Sequence, residues 1–136
     1  MDIRWLGHAG FFIQNSKIIY VDPYQIKDGL PKADVILITH CHYDHCSVAD
    51  LKKIVQEGTR IICTADSQSK VARFDVPIRM EVIEVGQEID LGTVKISATP
   101  SYNIDKPFHS KEEGLVGYLI KMNDVIIYHA GDTDLI

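Results

Sequence analysis

Runs of branched aliphatic and aromatic residues recur along the chain at strand length, with polar turns between them. Segment 5–23 is apolar on both sides of Asn15-Ser16, and segment 117–132 repeats this arrangement around a polar pair of its own. Both segments predict β-hairpins. The continuous aliphatic run ADVILITH, residues 33–40, is typical of a strand that is covered on both faces.

A helix is predicted after this run. Ser47 followed by Asp50 marks its start, and the apolar positions keep helical spacing as far as the stop at Gly58. A long polar loop is predicted at 100–114. The remaining predicted elements are a second short helix at 66–74 and strands at 60–64, 80–85 and 93–100. About eight strands and two helices make a single, strand-rich domain of the mixed α/β class, residues 1–136.

The composition is that of an ordinary globular domain. The 136 residues are 46% hydrophobic and 24% charged, which is enough to bury a core. The net charge is −5 and no basic run is present, so the broad phosphate-binding surface of a nucleic-acid module is not expected. A small-molecule substrate, including one that carries a phosphate, remains compatible with this charge.

The N-terminal residues show no secretion signal, and no apolar run reaches the length of a membrane helix. The three cysteines, Cys41, Cys46 and Cys63, have neither disulfide nor CxxC spacing. We therefore expect a reducing, cytoplasmic setting without a membrane partner. Cys41 and Cys46 flank the histidine-rich segment, where they are either ligands or small buried thiols that fill space.

Four side chains that can bind a metal fall within six positions of the segment THCHYDHCS, residues 39–47. Alternate residues of an extended segment share a face, so His40 and His42 point the same way, which suits one Zn²⁺. Asp44 is next on that face, and His45 lies at the turn into the helix. The alternative is a surface turn that is merely rich in histidine. So many ligands directly after a buried strand favour a metal site.

The segment THCHYDH matches the H-x-H-x-D-H pattern of the metallo-β-lactamase fold superfamily, a broad group of mostly metal-dependent hydrolases. GHAGFFI and VDPY resemble the first hairpin of that fold, and IIYHAGDTDL resembles its later strand end that bears an aspartate. The chain looks most like the branch with GHA near its start and AGDTD after a hairpin. The resemblance implies an αββα sandwich, here mainly its first half, a mixed β-sheet with flanking helices.

The resemblance also implies a site for one or two metal ions. His40 and His42 would hold one ion together with a histidine from a later loop, for which His109 is our choice. Asp44 and His45 would hold the other ion, and Asp132 would bridge the two. Asp22 resembles the carboxylate behind the ligands that steadies them. Zinc is expected, with manganese or iron as alternatives.

Other polar residues have weaker assignments. His109 is either the third histidine ligand or a solvated loop histidine, and His8 either assists the site by hydrogen bonding or is structural. His129 is expected to pack or hydrogen-bond rather than to bind metal. The loop residues Tyr102, Lys106 and Phe108 are candidate substrate contacts or ordinary loop residues.

Two divalent ions can share a water and lower its pKa, while Asp44 positions it and carries a proton. The expected reaction is hydrolysis of an ester, amide, thioester or phosphodiester. The resemblance also places a last metal histidine and a second sheet after Asp132, beyond the 136 residues. The first sheet would then expose an apolar face, which either a homodimer or a missing C-terminal half would cover. The alternative function is a metal-binding half-domain, a fragment or dimerising module, with little catalytic activity.

Overall fold

The structure is a computed structural model that describes residues 2–7, 10–15, 17–24, 26–39, 48–65, 74, 76–100, 116–122 and 125–129. The chain divides into two compact units, residues 1–82 and residues 83–136. One β-sheet of six strands belongs to the first unit and one of four strands to the second.

The sheet of the first unit has its six strands in sequence order. The strands are β1 (Asp2–Gly7), β2 (Gly10–Gln14), β3 (Ile18–Val21), β4 (Val35–Leu37), β5 (Arg60–Cys63) and β6 (Arg79–Val82). Strands β1, β2 and β3 pair antiparallel, whereas β3 to β6 pair parallel. Helix α1 (Val48–Ile54) belongs to the connection between β4 and β5. The sheet is therefore mixed, as the sequence predicts.

Strand β4 is the buried centre of this sheet. Val35, Ile36 and Leu37 are all buried, and they pair with β3 on one side and β5 on the other. Neighbouring side chains of a strand point to opposite faces, so burial of three in a row means that both faces are covered. The prediction for this aliphatic run is confirmed.

Helix α1 and the segment between β3 and β4 help to form a hydrophobic cluster with one face of the sheet. Cross-strand pairing puts Phe12, Tyr20, Ile36 and Ile61 in one row on that face. The buried members of the cluster are Phe12, Tyr20, Ile26, Ala33, Ile36, Ile38, Leu51, Ile54, Ile61 and Cys63. The helical spacing of Leu51 and Ile54 thus buries one side of α1. Past the helix, Gly58 has φ 86°, a conformation that glycine adopts without a steric penalty.

The sheet of the second unit is antiparallel, with its strands in the order β10, β9, β8, β7. The expectation that a second sheet occurs only after Asp132 is therefore wrong, because these four strands pair with one another instead of extending the first sheet. The strands are β7 (Glu88–Asp90), β8 (Val94–Pro100), β9 (Val116–Met122) and β10 (Val125–His129). Met122 pairs with Val125, which confirms the predicted second hairpin. The alternation in β8 is also confirmed, because Val94 and Ile96 are buried and Lys95 between them is exposed.

The strand count differs from the prediction. Ten strands are present in the described part of the chain, whereas the pattern predicts about eight. Segment 5–23 contains three strands instead of two, because the chain reverses between Gly7 and Gly10, which pair with each other. Strand β7 has only three residues, too few for a clear alternation. The predicted helix at 66–74 and the loop at 100–114 lie outside the described residues, apart from Phe74 and Pro100.

Exposed large apolar side chains in the described residues lie mainly on two edge strands. Ile3 and Trp5 project from β1, and Ile126 and Tyr128 project from β10. The middle of the six-stranded sheet is buried on both faces. The expected open apolar face is therefore not found on these central strands, and the exposed apolar surface lies at the sheet edges instead.

Candidate functional site

The histidine-rich segment begins where parallel strands end together. Val21, Leu37 and Ile62 are neighbours across β3, β4 and β5, so the chain leaves all three strands at the same edge of the sheet. The carboxyl edge of parallel strands is where open α/β sheets place their ligands. Asp22 follows β3 at this edge, and Thr39 lies directly before His40.

Asp22 and Thr39 form a buried pair at this edge. The Asp22 Oδ1 atom accepts the backbone N–H of Thr39 at 2.8 Å, and Oδ2 accepts the Thr39 hydroxyl at 2.7 Å. Both side chains are buried. Because both oxygens of one carboxylate hold one residue, the backbone position from which the motif continues is fixed.

The backbone of Asp22 turns sharply to make this contact. Its φ is 44°, in the left-handed region that aspartate enters more readily than most residues. The N–H of Asp22 donates to the carbonyl of Leu37 at 2.9 Å, which extends the pairing of β3 with β4 by one residue. Asp22 is thus both the first residue of the turn and a hydrogen-bonded neighbour of β4, the strand that leads to the motif.

The other end of the motif is anchored as well. Helix α1 begins at Val48, and its Asp50 carboxylate accepts the backbone N–H of Ile26 at 3.0 Å. Lys53, one turn later, donates to the carbonyl of Ile26 at 2.8 Å and lies 3.5 Å from the Asp50 carboxylate. Side chains of α1 therefore hold both the backbone N–H and the backbone C=O of Ile26.

The residues on both sides of 40–47 are consequently hydrogen-bonded to one short stretch of chain, which begins at Asp22 and ends at Ile26. Thr39, on the N-terminal side, is bonded to Asp22, and α1, on the C-terminal side, is bonded to Ile26. The two anchor points are four residues apart in sequence. A segment whose ends are both fixed loses less conformational entropy on binding a ligand than a free loop does.

The structure describes only a few of the predicted site residues. Asp22 is described and accepts two hydrogen bonds from Thr39, while its predicted role behind the metal ligands stays a prediction. His129 is mostly buried at the end of β10, opposite Tyr118. The predicted residues that lie outside the described part of the chain are His8, His40, Cys41, His42, Asp44, His45, Cys46, Tyr102, Lys106, Phe108, His109 and Asp132.

Within the described residues, no three histidine, cysteine, aspartate or glutamate side chains form a group that could hold a metal ion. Cys63 is buried in the hydrophobic cluster. No helix in the described ranges is both long and apolar enough to cross a bilayer.

Two residues of this site were not singled out by the sequence pattern. Thr39 falls inside the predicted strand 33–40, although a threonine that directly precedes clustered ligands is placed to fix their backbone. Asp50 was predicted to mark the start of α1, and its carboxylate also accepts the N–H of Ile26. A contact between residues 24 apart in sequence leaves no local periodic signal.

Comparisons with known proteins identify two similar metal-dependent hydrolases. A protein of Archaeoglobus fulgidus named "UPF0173 metal-dependent hydrolase" is 30% identical over 148 residues, which cover 99% of this chain and 62% of that protein. A crystal structure from Parabacteroides distasonis, described as a candidate metal-dependent hydrolase, has a TM-score of 0.82 and 29% identity over 96% of this chain and 60% of that one. The chain thus spans about three fifths of the length of these relatives.

The third comparison concerns the fold alone. A diiron beta-hydroxylase from Streptomyces venezuelae matches with a TM-score of 0.72 at 18% identity, over 96% of this chain and 29% of that one. The family model described as "Beta-lactamase superfamily domain" matches residues 2–135. Together with the sheet that carries Asp22 and Thr39 at its carboxyl edge, this match shows that the chain belongs to the beta-lactamase superfamily and has the metallo-β-lactamase fold.

Proposed function

We propose that the chain provides the metal-binding part of a hydrolase that activates water for attack on an ester, amide, thioester or phosphodiester. The observation that supports this best is the paired fixation of the motif, by Asp22 through Thr39 and by Ile26 through Asp50. Metal ligands act from rigid elements that are held by surrounding hydrogen bonds. The names of the relatives point to the same class of reaction.

The donor set fits a divalent ion with nitrogen and oxygen ligands. Imidazole and carboxylate groups together suit zinc, and they also suit manganese or iron. The buried Asp22 carboxylate is hydrogen-bonded to Thr39, the residue that directly precedes the motif. The residues proposed to hold one or two ions are His40, His42, Asp44, His45, His109 and Asp132.

The chemistry divides between the ion and the protein. A bound divalent ion would supply a Lewis acid for the substrate oxygen and a water of lowered pKa. Asp44 would orient that water by a hydrogen bond and take up its proton. Thr39 and Asp22 would hold the backbone from which His40 and His42 project, so that their orientation does not depend on the substrate.

Metal content and turnover together test this proposal. The purified chain would be analysed for zinc, manganese and iron, then assayed with a nitrophenyl ester and a bis-nitrophenyl phosphodiester while Zn²⁺ or Mn²⁺ is added. We expect metal-dependent turnover that is lost in His42→Ala. His129→Gln is the matched control, because it also removes one imidazole but leaves the proposed ligands in place. A chain that binds no divalent metal would refute the proposal.

The second candidate is a metal-binding half-domain, a fragment or dimerising module, with little or no catalytic activity of its own. The exposed apolar residues on edge strands β1 and β10 favour this candidate, because soluble monomers rarely expose such edges. Bound metal without turnover, in a chain whose solution mass is that of a dimer, would support it. Bound iron in place of zinc would instead favour oxygen chemistry like that named for the Streptomyces venezuelae neighbour.

A further inference from the structure

A cleft of about 300 Å³ opens in the first unit beside edge strand β1. Arg4, Trp5 and Phe12 line it from β1 and β2, and Lys27 and Leu30 line it from the segment that follows Asp22. This volume is at the lower end of the range found for small-molecule sites. Its described lining includes none of the proposed metal ligands.

The walls of the cleft are held in place by hydrogen bonds. Ile26, a lining residue, is fixed by Asp50 and Lys53 of α1. The carbonyl of Pro31, another lining residue, accepts the buried hydroxyl of Tyr20 at 2.7 Å. A cleft whose walls are already fixed costs little conformational entropy when a ligand enters.

The charges along the described lining are positive. Arg4 and Lys27 are the charged residues among those that line the cleft, and both are exposed. The Arg4 guanidinium lies 5.7 Å from the ring centroid of Phe12, and the Asp2 carboxylate, at 2.9–3.0 Å, takes two of its five N–H donors. Three N–H donors of this exposed guanidinium are therefore not used by Asp2 and can bind a further anion.

Lys27 is the less constrained of the two cations. In the part of the chain that the structure describes, Lys27 makes no ion pair. Its acidic neighbour in sequence, Asp28, lies 3.7 Å from Lys53 instead. The remaining lining residues are apolar or aromatic. The cleft thus combines a cationic part with an apolar part.

We propose that this cleft binds a small amphipathic carboxylate. The aryl or alkyl body of the ligand packs against Trp5, Phe12 and Leu30, and its carboxylate pairs with Arg4 and Lys27. A planar carboxylate matches the fork of a guanidinium, whereas a neutral or cationic ligand of the same shape gains nothing from either cation. This site does not depend on the proposed metal centre.

The single tryptophan of the chain makes the test direct. Trp5 lines the cleft and is 68% exposed, so fluorescence excited selectively in tryptophan reports on this site alone. The apo chain would be titrated with 4-phenylbutyrate, and in parallel with 4-phenylbutanol and 4-phenylbutylamine. We expect a saturable change in Trp5 emission with the carboxylate, and at least roughly tenfold weaker binding of the alcohol and the amine.

Two variants separate specific binding from a general response of Trp5. Lys27→Glu should weaken 4-phenylbutyrate binding by roughly tenfold or more, because it places a carboxylate beside the ligand's own. Lys95→Glu makes the same charge change on an exposed residue of β8 and should leave binding unchanged. Circular dichroism would verify that both variants are folded. Emission that changes without saturation, equal binding of the amine, or unaltered binding by Lys27→Glu would each overturn the proposal.

Discussion

Thr39 donates both its backbone N–H and its hydroxyl to the carboxylate of Asp22, at 2.8 and 2.7 Å, and the pair is fully buried. The contact joins the residue that ends β3 to the residue that precedes the histidine-rich motif. A carboxylate whose two oxygens each accept a hydrogen bond from the same residue is held in one orientation. The same contact therefore contributes to the stability of the fold and to the position of the motif.

Replacing Asp22 by alanine should destabilise the chain strongly. The N–H and the hydroxyl of Thr39 would each lose an acceptor inside the protein, which costs roughly 1–3 kcal/mol per group. We expect the free energy of unfolding in urea to fall by about 3 kcal/mol. Thr39→Val is the matched variant, since it removes one bond at similar volume, and should cost about 1 kcal/mol. Unchanged stability in Asp22→Ala would contradict the buried pairing.

The same variant tests the link between Asp22 and metal binding. Loss of a residue that orients metal ligands typically weakens metal affinity by roughly 10- to 100-fold. We expect a weakening of this order for Zn²⁺ in Asp22→Ala, measured by competition with a chromophoric chelator under conditions where the variant is still folded. Tyr20→Phe, which alters the core without touching this edge, should keep the wild-type affinity. Equal affinities in all three proteins would show that Asp22 has a structural role only.

The anchor at Asp50 gives a second prediction about stability. Asp50→Ala leaves the buried N–H of Ile26 without this acceptor and takes a partner from Lys53, so we expect a loss of about 2 kcal/mol. Asp50→Asn keeps an acceptor oxygen and should lose less than about 1 kcal/mol. Chemical denaturation measures both values. If asparagine were as damaging as alanine, the charge of Asp50 rather than its hydrogen bond would be responsible.

Tyr20 should make stability depend on alkaline pH. Burial raises the pKa of Tyr20 from 10.0 to about 12. Between these values the unfolded chain loses the phenolic proton while the folded chain keeps it, so the contribution of Tyr20 is complete below pH 10 and declines as the pH rises toward 12. The decline should be roughly 1.4 kcal/mol per pH unit in that window.

Tyr20→Phe provides the control for this pH dependence. It lacks the titrating group, so its free energy of unfolding should fall less steeply over the same alkaline range. At neutral pH it should be about 1 kcal/mol less stable, because the hydrogen bond to the carbonyl of Pro31 is lost. If the free energy of unfolding fell equally with pH in the two proteins, the raised pKa of Tyr20 would be ruled out.

The edge strand β10 leads to a prediction about association. Ile126 is 64% exposed, whereas Ile120 on the adjacent β9 is fully buried. Ile126→Thr should change the free energy of unfolding by less than about 0.5 kcal/mol and reduce self-association. Ile120→Thr should destabilise by about 2 kcal/mol or more. Light scattering and denaturation measure the two effects, and unaltered association in Ile126→Thr would show that the contact lies elsewhere.

The sequence predicts the central part of this fold well, for a physical reason. Residues 35–39 are buried without a break and Val94, Ile96 and Ala98 are buried in alternation, and burial is what the hydrophobic pattern records. Strand β7 is not predicted because its three residues are too few to show an alternation. It is recognised as a strand only through its pairing with β8. The early reversal at Gly7 and Gly10 was missed because the apolar pattern continues through it.

The candidate site, like the fold, could be predicted from the sequence only in part. The side chains that could bind a metal are recognisable because they are close together in sequence. The residues that hold them are not, since Asp22 and Thr39 are 17 positions apart and Asp50 and Ile26 are 24 apart. Asp22 is predicted through the family resemblance, whereas its contact with Thr39 is visible only in three dimensions.

The turn at Asp22 imposes two demands on one position. Its φ of 44° favours glycine, asparagine or aspartate, while the two donors of Thr39 call for a short side chain with two acceptor oxygens. Glycine would meet the first demand only, asparagine offers one acceptor, and glutamate would need both a costly backbone and a longer reach. Among the common amino acids, aspartate alone satisfies both demands, so relatives that keep this turn together with a hydroxyl at position 39 should rarely vary here.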